Sequence, residues 1–112
     1  MSKNIASVQR TNLQSTLDFS NVRCSEVILN KDTVSESIPI GNADVILCGF
    51  NGVFDTAVAQ VEISIDGNEW DVAFSTKSND MKHILWAPYL RVSTKGGGEK
   101  TNIKALVSRR VK

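Results

Sequence analysis

A single histidine, two cysteines and two prolines stand in a chain of 112 residues, and each scarcity removes a class of chemistry. His83 alone cannot build a histidine-rich metal site. Cys24 and Cys48 are far apart and form no Cys-x-x-Cys pair, so the zinc signature is missing. A cysteine–histidine nucleophile would need Cys24 or Cys48 beside His83 and a third residue to orient the base, and none is identifiable. No Gly-x-Ser-x-Gly elbow occurs. No apolar run reaches the roughly 20 residues of a membrane-spanning helix. The opening "MSKNIASVQRTNLQST" has no hydrophobic signal core and reads as the true start of a chain made in the cytosol. Without a secretory signal the two cysteines are expected as thiols, not a disulfide. These absences point away from an enzyme, a metal and a cofactor.

What is present is a β pattern. Val61, Ile63 and Ile65 alternate with Glu62, Ser64 and Asp66, and after "DGNE" the alternation resumes through Trp70, Val72 and Phe74. Asp66-Gly67 suits the positive φ of a hairpin corner, so "VEISIDGNEWDVAF" reads as a hairpin with Trp70 in the core. "ADVILCGF" is a continuous short apolar run, the mark of a strand covered on both faces. "TVSESIPI" ends at Pro39 as an edge or strand end. "TKSNDMK" reads as a loop, and "HILWAPYLRV" as a strand region interrupted by Pro88. Ile103, Ala105 and Val107 share one face of the last strand. No window repeats apolar residues at helical spacing. The expectation is an all-β fold, an antiparallel β-sandwich or small jelly-roll-like barrel. Residues 1–20 form an extended N-terminal arm and residues 21–112 a single antiparallel β domain.

Charge is uneven although the net is only +1. All of the twelve acidic residues except Asp18, Asp80 and Glu99 fall between Cys24 and Asp71, where Lys31 is the only base. From Arg91 onward the bases Arg91, Lys95, Lys100, Lys104, Arg109, Arg110 and Lys112 face Glu99 alone. This is either a solvated tail or an acidic face that meets a neighbour's basic end, where complementary charge sets register.

Two motifs invite chemistry and fail on detail. "KGGGEKT" resembles a phosphate loop, but Glu99 stands where that loop needs glycine, and a strand follows where it needs a helix. A flexible hairpin loop is the plainer reading. "IDGNEWD" offers oxygens for calcium but lacks the later glycine and terminal glutamate of a calcium loop. Trp86 and Tyr89 flank Pro88 and, with Arg109 and Arg110, are the candidate interface residues, since aromatics and arginine concentrate at such surfaces. The same basic end could touch phosphates, but with a net charge of +1 nucleic acid is the lesser reading.

"VEISIDGNEW", then "APYLRVST", a glycine-rich turn and "TNIKALVS" resemble small β-sandwich structural proteins of tailed-bacteriophage virions. The match runs from about Thr56 to Ser108. The resemblance implies an antiparallel β-sandwich and a place on the virion, as a head-decoration, head-fibre or tail-associated subunit. A small chain without a catalytic set gains specificity by repeating one interface under symmetry, so a homo-oligomer bound to the major capsid protein or another virion protein is expected, with no membrane partner. It would be made in the host cytoplasm and located in the virion. A capsid decoration or cement role is expected, with a tail or head-to-tail connector component as the alternative. From other classes, a nucleic-acid-binding β-barrel and a small carbohydrate-binding module remain.

Overall fold

Alternating side chains can bury only one face of a strand, so two sheets must share their apolar faces. The computed structural model describes residues 4–12 and 21–112, and among these there are strands and no helix. The strands are β1 (Asn4–Ala6), β2 (Gln9–Asn12), β3 (Val22–Leu29), β4 (Thr33–Ser35), β5 (Ile38–Pro39), β6 (Ala43–Val53), β7 (Val58–Ser64), β8 (Asp71–Thr76), β9 (Asp80–His83), β10 (Tyr89–Lys95) and β11 (Asn102–Val111). One sheet runs β1-β4-β10-β7-β8, with β5 also on β10, and the other runs β2-β3-β11-β6-β9. All pairings are antiparallel except β1 with β4. The all-β sandwich read from the sequence is the fold.

The core lies between the sheets. Leu90 and Val92 of β10 and Ala59 and Val61 of β7 come from the first sheet. Val27 and Leu29 of β3, Ile46, Cys48 and Phe50 of β6, and Ile103, Ala105 and Val107 of β11 come from the second. Short β4 meets β10 at a single register pair, Ser93 with Val34. Side chains supply what the ladder lacks: Thr33 N donates to Thr94 Oγ1 at 3.0 Å, and Val92 N donates to Ser35 Oγ at 3.0 Å. Buried hydroxyls thus satisfy backbone groups that would otherwise be costly to leave unpaired.

Both flanks of the sandwich are joined by short connections. β1 edges the first sheet and β2 the second, with only Ser7 and Val8 between them. On the other flank β8 edges the first sheet and β9 the second, linked by residues 77–79. The described part of the N-terminal segment therefore lies along its own two sheets, with Ala6 and Val8 against the core. The rest of the expected arm, residues 1–3 and 13–20, lies outside the described residues.

Three local expectations are corrected. Trp70 is not core. The register between β7 and β8 shifts between Val61 and Glu62, so that Val61 faces Phe74 while Glu62 faces Val72. Ala73 is the extra residue of this bulge, and it reverses the phase: Phe74 packs on the core, while Val72 is 53% exposed. Trp70 is half-buried and lies over the Arg91 guanidinium, 4.3 Å from Cζ to the ring centroid. The expected loop "TKSNDMK" contains the start of β9, a fully exposed edge strand with no apolar alternation to betray it. "HILWAPYLRV" is two strands in different sheets, and residues 84–88 cross between them.

Cys24 and Cys48 are both free thiols. They pair with Ser108 and Val107, which are consecutive on β11 and so face opposite sides of the sheet. No disulfide can bridge a sheet in that way.

Candidate functional site

Residues 84–88 have to carry the chain from one sheet to the other, and backbone bonds fix both ends of this crossing. Ile84 N donates to Ile46 O at 2.9 Å, and Ile40 N donates to Pro88 O at 2.9 Å. Ile84 and Ala87 turn inward, which leaves Leu85 and Trp86 pointing out, 81% and 47% exposed. The Trp86 indole Nε1 donates to Gly41 O at 2.9 Å, which fixes the ring against the corner before β6. Three residues along that corner, Asp44 receives both arms of Arg110: Nε to Oδ1 at 3.0 Å and Nη2 to Oδ2 at 2.7 Å. The hydrogen bond from Arg110 is the main reason that the Asp44 carboxyl lies below its ordinary pKa.

Trp86 and Arg110, two of the four residues singled out from the sequence, are thus both tied to the stretch 41–44 at the end of the sandwich, one through Gly41 O and the other through Asp44. The others do not join them. Tyr89 is in β10 opposite Ser64 and Pro39, half-buried beside Gly67 in the β7–β8 loop. Arg109 alternates with Arg110 along β11, so it faces the opposite side of the sheet and is half-buried. The pair cannot form one continuous basic stripe.

Beside this corner is a cleft of about 360 Å³ lined by Ile63, Ser64, Ile65, Asp66, Glu69, Asp71 and Ala87. Its loop, residues 65–70, is organised by Asp66. Asp66 Oδ1 accepts from Asn68 N at 2.8 Å, Glu69 N at 2.9 Å and Ser64 Oγ at 3.1 Å. These bonds, first those from Glu69 and Asn68, hold the Asp66 carboxyl below its usual pKa. Ile65, 84% exposed, stands at the rim. Ile65 and Leu85 were missed from the sequence. The signal for Leu85 was there: four successive apolar residues, Ile84 to Ala87, cannot all turn toward one core.

No protein-family model matches this chain, and no curated protein matches it. Among the described residues no cluster of three or more His, Cys, Asp or Glu side chains is placed to hold a metal ion. Burial pushes the Cys48 thiol up to about 12. The Cys24 thiol is also raised, by burial and then by the Glu26 charge. Neither is poised as a thiolate nucleophile at neutral pH.

The glycine-rich β10–β11 loop is held in place at several points. Gly96 N donates to Asp32 Oδ1 at 2.9 Å, Lys100 N to Asp55 Oδ2 at 3.0 Å, and Gly98 N to Asp55 O at 3.0 Å. Amides that could cradle a phosphate are already given to the chain's own carboxylates and carbonyls. Gly97 has φ +102°, and a side chain on Gly98 would strike the Asp55 carboxylate.

The charge asymmetry of the sequence is also resolved inside the molecule. Glu62, Glu26 and Asp44 from the acidic stretch pair with Arg91, Lys104 and Arg110 from the basic one, at 3.1, 3.3 and 2.7 Å. The antiparallel sheets bring the two regions together, so at these points the complement expected on a neighbour is within the chain.

Proposed function

We propose that this protein is a structural subunit of a tailed-bacteriophage virion, a capsid decoration or cement protein that binds the shell by protein–protein contact. The observation that carries the reading is the end of the sandwich where Ile65, Leu85 and Trp86 project. Large apolar side chains held out by fixed backbone suit a partner surface, and an aromatic anchor beside a charged pair is a usual centre for such contacts. The likeness of Thr56 to Ser108 to small virion sandwiches supports the same reading. Opposed placement of Arg109 and Arg110, with Arg110 engaged by Asp44, counts against a nucleic-acid groove.

The function would then be mechanical. A rigid sandwich bound at symmetric positions on a shell raises the barrier to opening by holding neighbouring capsomers together. The test is co-sedimentation of the purified protein with DNA-free shells of the same phage. Binding should saturate at a fixed ratio to the major capsid protein, and Trp86→Ala should weaken it about tenfold or more. Binding to duplex or single-stranded DNA that falls steeply with salt, with no binding to shells, would replace this reading with the nucleic-acid one.

A further inference from the structure

β6 carries apolar side chains on both faces, but where its continuous apolar run predicts cover on both, the described chain covers only one. Ile46, Cys48 and Phe50 are buried between the sheets, whereas Val45, Leu47 and Gly49 on the other face are half-exposed. Around them on this outer face stand Leu106 of β11, Met81 of β9 and Ile28 of β3, 41%, 66% and 42% exposed. Gly49 pairs with both Leu106 and Met81, so its missing side chain leaves a notch between two apolar knobs. Nothing among the described residues requires glycine there. Its φ lies outside the positive range, and a Cβ would make only ordinary contacts, the nearest at 3.7 Å to Asp80 O and the Met81 side chain. The ladder has no bulge at Gly49, so of the usual uses of a strand glycine the close approach of another surface is the one that fits.

We infer that the outer face of the β2-β3-β11-β6-β9 sheet is the contact surface for a second copy of this chain, each Leu106 seating in the partner's Gly49 notch. Leu106 and Gly49 are cross-strand neighbours. A two-fold axis parallel to the strands and running between β11 and β6 therefore places the knob of one copy over the notch of the other. Such self-complementarity is what an isologous contact needs. The charges on this face favour a copy over an oppositely charged partner, because Lys104 is paired with Glu26 and Arg110 with Asp44 within the chain. The area fits as well. β3, β11, β6 and β9 have 8, 10, 11 and 4 residues, which at about 4.8 Å spacing and about 3.3 Å rise give roughly 500 Å² per copy, hence about 1,000 Å² for the pair. That reaches the threshold of a specific contact and falls short of the standard size, so the dimer is weak and reversible. This surface lies on a sheet face and the proposed shell contact at the end of the sandwich, and neither inference depends on the other.

The experiment is sedimentation velocity of the full chain over a concentration series, with thiol labelling of Cys24, which lies on this same face opposite Ser108. The expected result is a monomer–dimer equilibrium, with slower Cys24 labelling as the dimer fills. Leu106→Glu and Gly49→Leu should each raise the dissociation midpoint about tenfold or more, while Trp86→Ala leaves it unchanged. Far-ultraviolet circular dichroism identifies any variant that fails to fold, and Met81→Glu, at the sheet edge, is the replacement for it. A monomer up to roughly millimolar concentration would overturn the inference. A dimer indifferent to these substitutions would do so too, as would Cys24 protected in the monomer, which would show the chain's own residues covering the face.

Discussion

At the scale of single residues, the sheet separates side chains that look alike in the sequence. Trp70 and Leu90 are both large and apolar, but Leu90 is fully buried and Trp70 half-exposed over Arg91. Leu90→Ala should cost about 2–5 kcal/mol, the range for a buried leucine. Trp70→Ala should cost about 1 kcal/mol or less, the size of an exposed cation–π contact. Urea denaturation of the two variants measures both, and a reversed order would return Trp70 to the core. Asp66 predicts a pH effect. Its folded pKa is depressed, so its contribution to loop stability is complete above the ordinary value of 3.8 and is lost as pH falls through the lower folded value. Nuclear magnetic resonance titration of the Asp66 side chain should show that lower midpoint, with the Asn68 and Glu69 amide signals moving with it. Asp66→Asn should abolish the titration. The sequence announced the Asp-Gly corner but not the fate of Trp70, because one inserted residue, Ala73, reverses every side chain beyond it and leaves no mark on composition.

At the scale of elements, legibility followed length and burial. β7 and β11 have long alternating inner faces and could be read directly, and so could the β7–β8 hairpin, whereas β10 was legible only as part of a longer strand region that the crossing at residues 84–88 divides. β9 could not, because a four-residue edge strand, Asp80–His83, exposed throughout, is held mainly by its backbone pairing to β6. The glycine-rich loop was legible as a turn but not as a rigid one, since Asp32 and Asp55 reach it from elsewhere in the chain. Substituting two glycines separates these ideas. Gly98→Ala drives a methyl into the Asp55 carboxylate and should destabilise by about 1–3 kcal/mol. Gly49→Ala meets only ordinary contacts and should leave the monomer unchanged or raise its stability by up to about 1 kcal/mol. Thermal melts at a concentration that holds the protein monomeric compare them. Equal losses would mean that the two sites do not differ in the way the contacts indicate.

At the scale of the whole molecule, the strand order dictates how the chain must fold. β10 near the C-terminal end pairs with β4, β5 and β7, and β11 lies between β3 and β6, so few pairings in the centre of either sheet are local. Domains built this way fold in roughly milliseconds to seconds, and stopped-flow tryptophan fluorescence should find the main phase there. A submillisecond phase with full amplitude would contradict it. The radius of gyration, 13.6 Å over Cα atoms, is close to the roughly 13 Å of a folded chain this long. The sandwich itself was foreseeable from alternation and turn spacing. Which face of a sheet is left for a partner was not, because period two reports that a residue has a side and never says what covers it.

The paired edges have a consequence for motion. With Ser7 and Val8 closing one flank and residues 77–79 the other, the two sheets cannot part like the covers of a book. Among the described residues the interior is a sleeve tied on both flanks and open at its two ends. Solvent reaches the middle of β10 and β11 by unravelling a flank or by losing the whole domain, so deuterium should enter the amides of Val92 and Ala105 at a rate set by global unfolding.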